Sequence, residues 1–147
     1  MEDPTPTARR TPFWLWASAG LGVSWNAFGI VQLLSTLGGT EATGMMKGMS
    51  AEAAAVYYHL PIWMNVAFAT GAIGGLLGSL VMFARSTLAV MIFAVSSVGY
   101  VVLFLGDWHF ELFRLMPGQL PILLVVLAIS FVLLLVSAVA ARKGILV

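Results

Sequence analysis

The sequence contains no cysteine and very little charge. Without cysteine the chain forms no disulfide bond, thiolate nucleophile, iron–sulfur cluster or covalently attached c-type haem. Charged residues make up 9% of the 147 residues, against about 25% in a typical soluble domain. Seven Lys and Arg stand against six Asp and Glu, which argues against a nucleic-acid partner held on a basic surface. With 61% hydrophobic residues and a mean hydropathy of +1.00, the composition predicts a small integral membrane protein.

Four long stretches of the chain carry no ionisable side chain. Crossing the hydrocarbon core as a helix takes about 20 mostly apolar residues, and each stretch is long enough. Helices are expected because lipid offers no partner for unpaired backbone groups, and the sequence lacks the period-two alternation of barrel strands. The four predicted transmembrane helices span residues 13–37, 60–84, 86–106 and 120–141.

These spans predict an all-α fold, with a single four-helix transmembrane domain over residues 13–141. Residues 1–12 are rich in Pro, Thr and charge, so we expect a disordered cytoplasmic tail there. Residues 142–147 are predicted to form a second cytoplasmic tail. The second and third spans are joined essentially at Arg85, which predicts a tight antiparallel hairpin.

The distribution of basic residues predicts the orientation of the bundle. The two connections on one side hold only Lys47 and Arg114, beside several acidic residues. The segments on the other side hold five of the seven Lys and Arg residues, namely Arg9, Arg10, Arg85, Arg142 and Lys143. Because basic residues are retained on the cytoplasmic side, both termini are predicted to lie in the cytoplasm.

The first external connection, residues 38–59, is long enough to require a structural or functional reason. Its second half is predicted to form a short interfacial helix. Ser50 would be the N-cap of this helix, and Glu52 would lie near the positive end of its dipole.

Small and polar residues follow one side of the first span. They are Ser18, Gly22, Trp25, Gly29, Gln32 and Thr36, with Asn26 beside them. One interpretation is a pocket or permeation path for a small neutral solute such as a sugar, and its candidate residues are Trp25, Asn26, Gln32 and Asn65. The other interpretation is that the amides bond to neighbouring helices while the glycines allow close packing.

Glycines at four-residue intervals mark the second span, where they form two overlapping GxxxG pairs. Missing side chains let two backbones approach closely, so these positions are predicted to pack helices together. The partner is either the first or third span of the same chain, or the second span of another copy. The predicted helix-packing residues are Gly22, Gly29, Ala67, Gly71, Gly74, Gly75 and Gly78.

Four ionisable residues in the external connections form a candidate metal site: His59, Asp107, His109 and Glu111. Imidazoles with carboxylates suit zinc or a similar divalent ion. Ligands alternate with aromatic residues over residues 107–111, so an extended segment would direct three ligands to one side, whereas a helix would spread them apart. The alternative is an ordinary charged loop, with His59 in an interfacial hydrogen bond.

Several functional classes lack the residues that they require. No ionisable group lies within a predicted span, as proton-coupled transport needs, and neither His lies at mid-depth to hold a haem. No Ser, His and Asp can meet within the membrane, and no glycine-rich loop is available to hold a phosphate. We therefore expect no enzyme activity, and the sequence implies no cofactor.

Three segments carry a resemblance to a known family: WNAFGIVQLL, YYHLPIWMNVAFATGAIGGLLGSLVMFARS and AVMIFAVSSVGYVV. Over roughly residues 13–105 the chain resembles a family of small four-span bacterial inner-membrane proteins of unknown function. They share a Trp-Asn pair in the first span, a Pro-x-Trp entry to the second and a glycine-rich second span. Members are often labelled as sugar transporters. The resemblance implies a multi-pass protein of the bacterial plasma membrane.

The sequence thus favours a non-catalytic membrane protein that acts by helix packing, as an accessory subunit of a larger membrane complex or as a self-assembling scaffold. Its partners would be membrane lipid and either other membrane subunits or copies of itself. The first alternative is an oligomeric transporter or facilitator of a small neutral solute. The second alternative is an external metal or ligand binder.

Overall fold

The computed structural model describes residues 11–37 and 49–147 of the chain. The predicted disordered tail before Thr11, and the start of the first external connection with Lys47, lie outside the described residues. Within the described residues the chain forms helices and no strand. The helices are α1 (Phe13–Leu37), α2 (Ala51–Tyr58), α3 (Ile62–Phe83), α4 (Leu88–His109), α5 (Leu112–Leu115) and α6 (Gln119–Arg142).

Four of these helices, α1, α3, α4 and α6, are long and apolar enough to cross a membrane. The predicted all-α class and the four membrane-length helices are therefore confirmed. α1 has the predicted bounds, and those of α3 and α6 differ from the prediction by one or two residues. α3 begins late because Pro61, which has no N–H to donate, occupies its N-cap position with an extended backbone.

The third span extends further than the sequence predicts. α4 continues beyond the predicted end at Gly106 and includes Asp107, ending at His109. The carboxylate does not end the helix because it turns inward and accepts a hydrogen bond from the side chain of Gln119 at 3.1 Å. The chain turns only afterwards, where Glu111 adopts a left-handed backbone conformation with φ of 57°.

α3 packs between α1 and α4, and α4 packs in turn against α6. α1 and α6 contact each other less extensively. The backbones of α3 and α4 approach closely, because a Cβ atom added to Gly99 would lie 2.8 Å from the carbonyl oxygen of Ala67. Glycine at this position permits a helix contact that any side chain would prevent.

α2 is the short helix that the sequence predicts before the second span. Its N-cap is Ser50, whose hydroxyl oxygen accepts a hydrogen bond from the Ala53 N–H at 3.1 Å. α2 packs against α5, and Arg114 of α5 lies 2.9 Å from Glu111 and 3.9 Å from Glu52. The location of α2 at a membrane surface stays a prediction.

The predicted tail at residues 142–147 folds back onto the bundle. α6 ends at Arg142, and Gly144 reverses the chain with φ of 65°. Leu146 is consequently only 2% exposed and joins an apolar cluster to which all four long helices contribute. This core cluster comprises Leu15, Ala19, Met82, Ala89, Phe93, Leu133, Ala140 and Leu146.

Candidate functional site

The buried face of α1 carries Asn26 at its centre. Its other buried residues, at helical spacing on both sides, are Leu15, Ala19, Gly22 and Leu33. The stripe expected from the sequence overlaps this face at Gly22, whereas Ser18, Trp25 and Gln32 are half-buried at its edge. The side chain of Thr36 lies outside the described residues.

Packing against α3 determines which face of α1 is buried. A Cβ atom on Gly22 would overlap the Ser79 hydroxyl, and one on Gly29 would lie 3.5 Å from the Ala72 Cβ. Both helices therefore bring small residues to the same line of contact. This arrangement favours close approach and places the larger Asn26 where α3 offers a glycine.

Asn26 is 2% exposed and uses both ends of its amide. Its Nδ2 donates to the Gly22 carbonyl oxygen at 2.8 Å, and its Oδ1 accepts a hydrogen bond from the Tyr100 hydroxyl at 3.3 Å. The amide lies directly over Gly75, where an added Cβ would overlap it. Gly75 thus makes room for a polar group that would be costly in contact with lipid.

Tyr100 of α4 packs its ring on Gly71 of α3, where an added Cβ would lie 2.6 Å from a ring carbon. One turn earlier, the Ser96 hydroxyl donates to the Gly71 carbonyl oxygen at 2.7 Å. Neither residue was identified from the sequence. The available signal was their four-residue spacing in the third span, which matches the glycine spacing of the second.

The glycine row of α3 serves contacts within this chain. Gly71, Gly74 and Gly78 are packed against α4, where their nearest neighbours are Tyr100, Ser96 and Phe93, and Gly75 is packed against α1. Ala67 is also buried, and its carbonyl oxygen lies against Gly99 of α4. Of the partners considered from the sequence, the first and third spans of the same chain therefore occupy these positions.

A second polar contact joins α4 to α6. The hydroxyls of Ser97 and Ser130 lie 2.7 Å apart, and both residues are buried. In the part of the chain that the structure describes, every buried side-chain nitrogen and oxygen has a hydrogen-bond partner. Some of these bonds join two long helices, whereas Ser79 and Ser137 donate to carbonyl oxygens of their own helices.

Asn26, Ser96 and Tyr100, which we name the polar cluster, lie beside a narrow cleft between α1, α4 and α6. Trp25, Asn26 and Tyr100 line it, with apolar side chains of α6 opposite. It encloses about 200 Å³ of empty space including its open mouth, yet none of that space admits a water-sized sphere. This cleft, as formed by the described residues, therefore has no room for a solute.

The other two predicted pocket residues lie away from the cleft. Gln32 is half-buried and is not part of the cleft wall, and it lies roughly 9 Å further along α1 than Asn26. Asn65 lies in the first turn of α3, roughly 15 Å along the helix from Gly75. The structure therefore brings Trp25 and Asn26 together and does not bring Gln32 or Asn65 to them.

The candidate metal constellation is not assembled, because residues 107–109 belong to a helix, the case in which the sequence predicts that the ligands spread apart. α4 continues through His109, so the buried Asp107 and the exposed His109 point in different directions. Glu111 pairs with Arg114, and the Nδ1 of His59 lies 2.9 Å from the Ala55 carbonyl oxygen. Among residues 11–37 and 49–147, no three His, Asp or Glu side chains are placed to hold a metal ion.

Asp107 has instead a structural environment that sequence reasoning missed. It is 2% exposed, and Gln119, the first residue of α6, donates to it. The preceding Gly106 allows close packing of α4 on α3, since an added Cβ would lie 2.8 Å from the Trp63 ring. Asp107 and Gln119 therefore tie the ends of two long helices together.

No protein-family model, curated protein or solved structure matches the chain.

Proposed function

We propose that this chain is a non-catalytic integral membrane protein that acts through helix packing, as an accessory subunit of a larger membrane complex or as a self-assembling scaffold. The observation that carries the proposal is the use of the polar residues at mid-span. Asn26, Tyr100 and Ser96 all bond to other groups of the chain, and the adjacent cleft admits no water. The polar side chains at mid-span are thus used in hydrogen bonds within the chain.

The outer surface of α1 and α6 supports this proposal. Over the membrane-length part of each of these helices only 22% of the residues are buried inside the chain, against 39% for α3. Their outward side chains are large and apolar, among them Phe28 and Leu34 on α1 and Val132 and Leu135 on α6. Lipid or another membrane helix can cover such faces. If the protein is an accessory subunit, a helix of a partner protein covers at least one of them.

The proposed location is the bacterial plasma membrane, with both termini in the cytoplasm. The family resemblance supports the membrane, and the distribution of charge supports the orientation. Arg85, Arg142 and Lys143 lie at one end of the bundle, whereas Arg114 at the other end is paired with acidic residues. A C-terminal reporter enzyme that works only outside the cytoplasm is expected to be inactive, and activity would refute the orientation.

Purification at native expression in a mild detergent, followed by mass analysis, tests the function. A subunit is expected to carry at least one other membrane polypeptide in fixed ratio, whereas a scaffold is expected to be a homo-oligomer. Trp substitutions on three outward faces, Leu34→Trp, Val98→Trp and Val132→Trp, serve as matched variants because all three side chains are more than half exposed. We expect one of them to disrupt the assembly without lowering thermal stability. A wild-type chain that is purely monomeric would refute the proposal.

A transporter of a small neutral solute is the second candidate function. Trp25 and Asn26 line one cleft at mid-span, and an aromatic ring beside an amide is suited to a polyol. Because the cleft is closed in one chain, the route would need two or more copies. The test is uptake of glycerol, xylitol or glucose into vesicles that contain the protein. Uptake by the wild type that Asn26→Ala abolishes would favour transport over the subunit or scaffold function. Equal uptake by the wild type and the Asn26→Ala variant would exclude it.

A further inference from the structure

Residues 144–147, which we name the C-terminal strap, close one end of the bundle. The strap begins where α6 ends: the Gly144 N–H donates to the Ala141 carbonyl oxygen and the Ile145 N–H to that of Ala140, at 3.0 and 2.9 Å. This is the Schellman pattern, in which glycine supplies the left-handed residue. The strap then runs back across the bundle instead of away from it, and Leu146 is buried.

The strap is tied to the turn between α3 and α4. The Val147 N–H donates to the Arg85 carbonyl oxygen at 2.7 Å, and the Thr87 N–H donates to the Val147 oxygen at 3.1 Å. The Nε of Arg85 donates to the Ile145 carbonyl oxygen at 3.2 Å. Arg85 has φ of 60°, a conformation that non-glycine residues rarely adopt. It ends α3 in the same Schellman pattern, with the Ser86 N–H donating to the Val81 carbonyl oxygen at 3.2 Å.

We propose that the C-terminal strap is a reversible closure of this end of the bundle, which undocks without unfolding of the four long helices. Burial of Leu146, packing of Ile145 against the same cluster and three hydrogen bonds to the turn favour the docked state. The conformational entropy of ordering four residues opposes it. These opposing contributions are of similar size, so the docked and undocked states lie close in free energy, as is usual for locally opening segments.

Undocking would change the basic end of the bundle in two ways. It removes Leu146 from the core cluster to which all four long helices contribute. It also releases Arg85 and the α3–α4 turn from their link to α6. The strap therefore couples the position of the C-terminal residues to the closure of this end, whichever function the protein has.

The absence of cysteine makes a direct test available. Three single variants of the full chain, Leu146→Cys, Val147→Cys and Met82→Cys, are labelled with N-ethylmaleimide in lipid nanodiscs. Val147 is 79% exposed, and Met82 is fully buried in the same core cluster as Leu146. We expect Cys at position 146 to react about tenfold more slowly than at 147, and about tenfold faster than at 82, because local opening is more frequent than global opening.

Gly144 provides the matched perturbation, because its left-handed conformation is strained for alanine and tolerated by asparagine. Gly144→Ala is expected to raise the labelling rate at position 146 roughly threefold or more and to leave that at position 82 unchanged, with Gly144→Asn closer to wild type. Equal rates at positions 146 and 82 would overturn the proposal, as would equal rates at 146 and 147, or a parallel rise at 82.

Hydrogen exchange of the unaltered chain provides a second measurement if Leu146→Cys fails to fold. The amide of Val147 is expected to exchange faster than the amides in the middle of α6, although both are hydrogen-bonded. Exchange of both at one common rate would show that the strap opens only with the whole bundle, and would overturn the proposal.

Discussion

Tyr100 of α4 and Asn26 of α1 are joined by a hydrogen bond of 3.3 Å that passes over the glycine row of α3. The bond links two helices that flank α3, and it does so where Gly71 and Gly75 leave space for a phenol ring and an amide. Small residues on one helix thus permit polar contact between its neighbours. The polar cluster and the glycine row are consequently one structural feature, which several measurements can test.

Gly75→Ala is expected to lower the stability of the bundle. The new methyl group would overlap the Asn26 side chain, and overpacking of this kind typically costs about 1–3 kcal/mol. The free energy of unfolding, measured by denaturant titration in detergent micelles, checks the prediction.

Gly118→Ala is the matched control for this substitution, because nothing lies within 4 Å of the added Cβ and its φ of −70° suits alanine. Its effect is expected to be within about 0.5 kcal/mol of zero. Equal stability of the two alanine variants would show that the contact between Gly75 and Asn26 does not constrain the fold.

Asn26→Ala is expected to cost more than Tyr100→Phe. The alanine variant leaves the buried Tyr100 hydroxyl without its acceptor, a loss of about 1–3 kcal/mol, whereas phenylalanine keeps the ring on Gly71. Because the two groups are in direct contact, the double variant should be less destabilised than the sum of the two single variants, by about 0.5 kcal/mol or more.

A thermodynamic cycle of the four proteins, Asn26→Ala, Tyr100→Phe, the double variant and wild type, measures this coupling. Strict additivity would mean that the hydrogen bond contributes nothing to the stability of the bundle. Ser24→Ala is a suitable control on α1, since Ser24 is exposed on the opposite face and its effect should be small.

The fold was predictable because its determinants are local in the sequence. The length and apolar character of each span predict a helix long enough to cross a membrane whatever it packs against, and α1 has the predicted bounds. Ser50 identifies the N-cap of α2 for the same reason, since a cap acts within one turn of the chain.

The candidate site was predictable only in part because it depends on contacts between helices. Asn26 and the glycines could be singled out by residue type, but the residues that they meet on the neighbouring helices could not. The sequence predicts a loop at Asp107, because its charge marks the end of an apolar stretch. Its partner Gln119 lies in another helix, and no pattern within α4 reveals that pairing.

The contact between Ser97 and Ser130 is predicted to stabilise the packing of α4 on α6 modestly. Hydrogen bonds between membrane helices contribute about 0.6 kcal/mol on average, so Ser97→Ala and Ser130→Ala should each have a small effect. Their double variant should be little worse than either single one, because both remove the same bond. A fully additive loss in the micelle unfolding assay would contradict the pairing.

Two replacements of Asp107, by asparagine and by alanine, are predicted to affect stability differently. Asp107→Asn keeps an oxygen that can accept from Gln119 and removes a charge that is 2% exposed, so stability should be unchanged or higher. Asp107→Ala leaves the Gln119 amide without that acceptor, and a loss of about 1–3 kcal/mol is expected. Glu111→Ala, at an exposed position nearby, should change the unfolding free energy by less than about 0.5 kcal/mol. Equal stability of the alanine and asparagine variants would refute the role of Asp107 as a link between α4 and α6, because the two proteins differ in the atom that receives the bond.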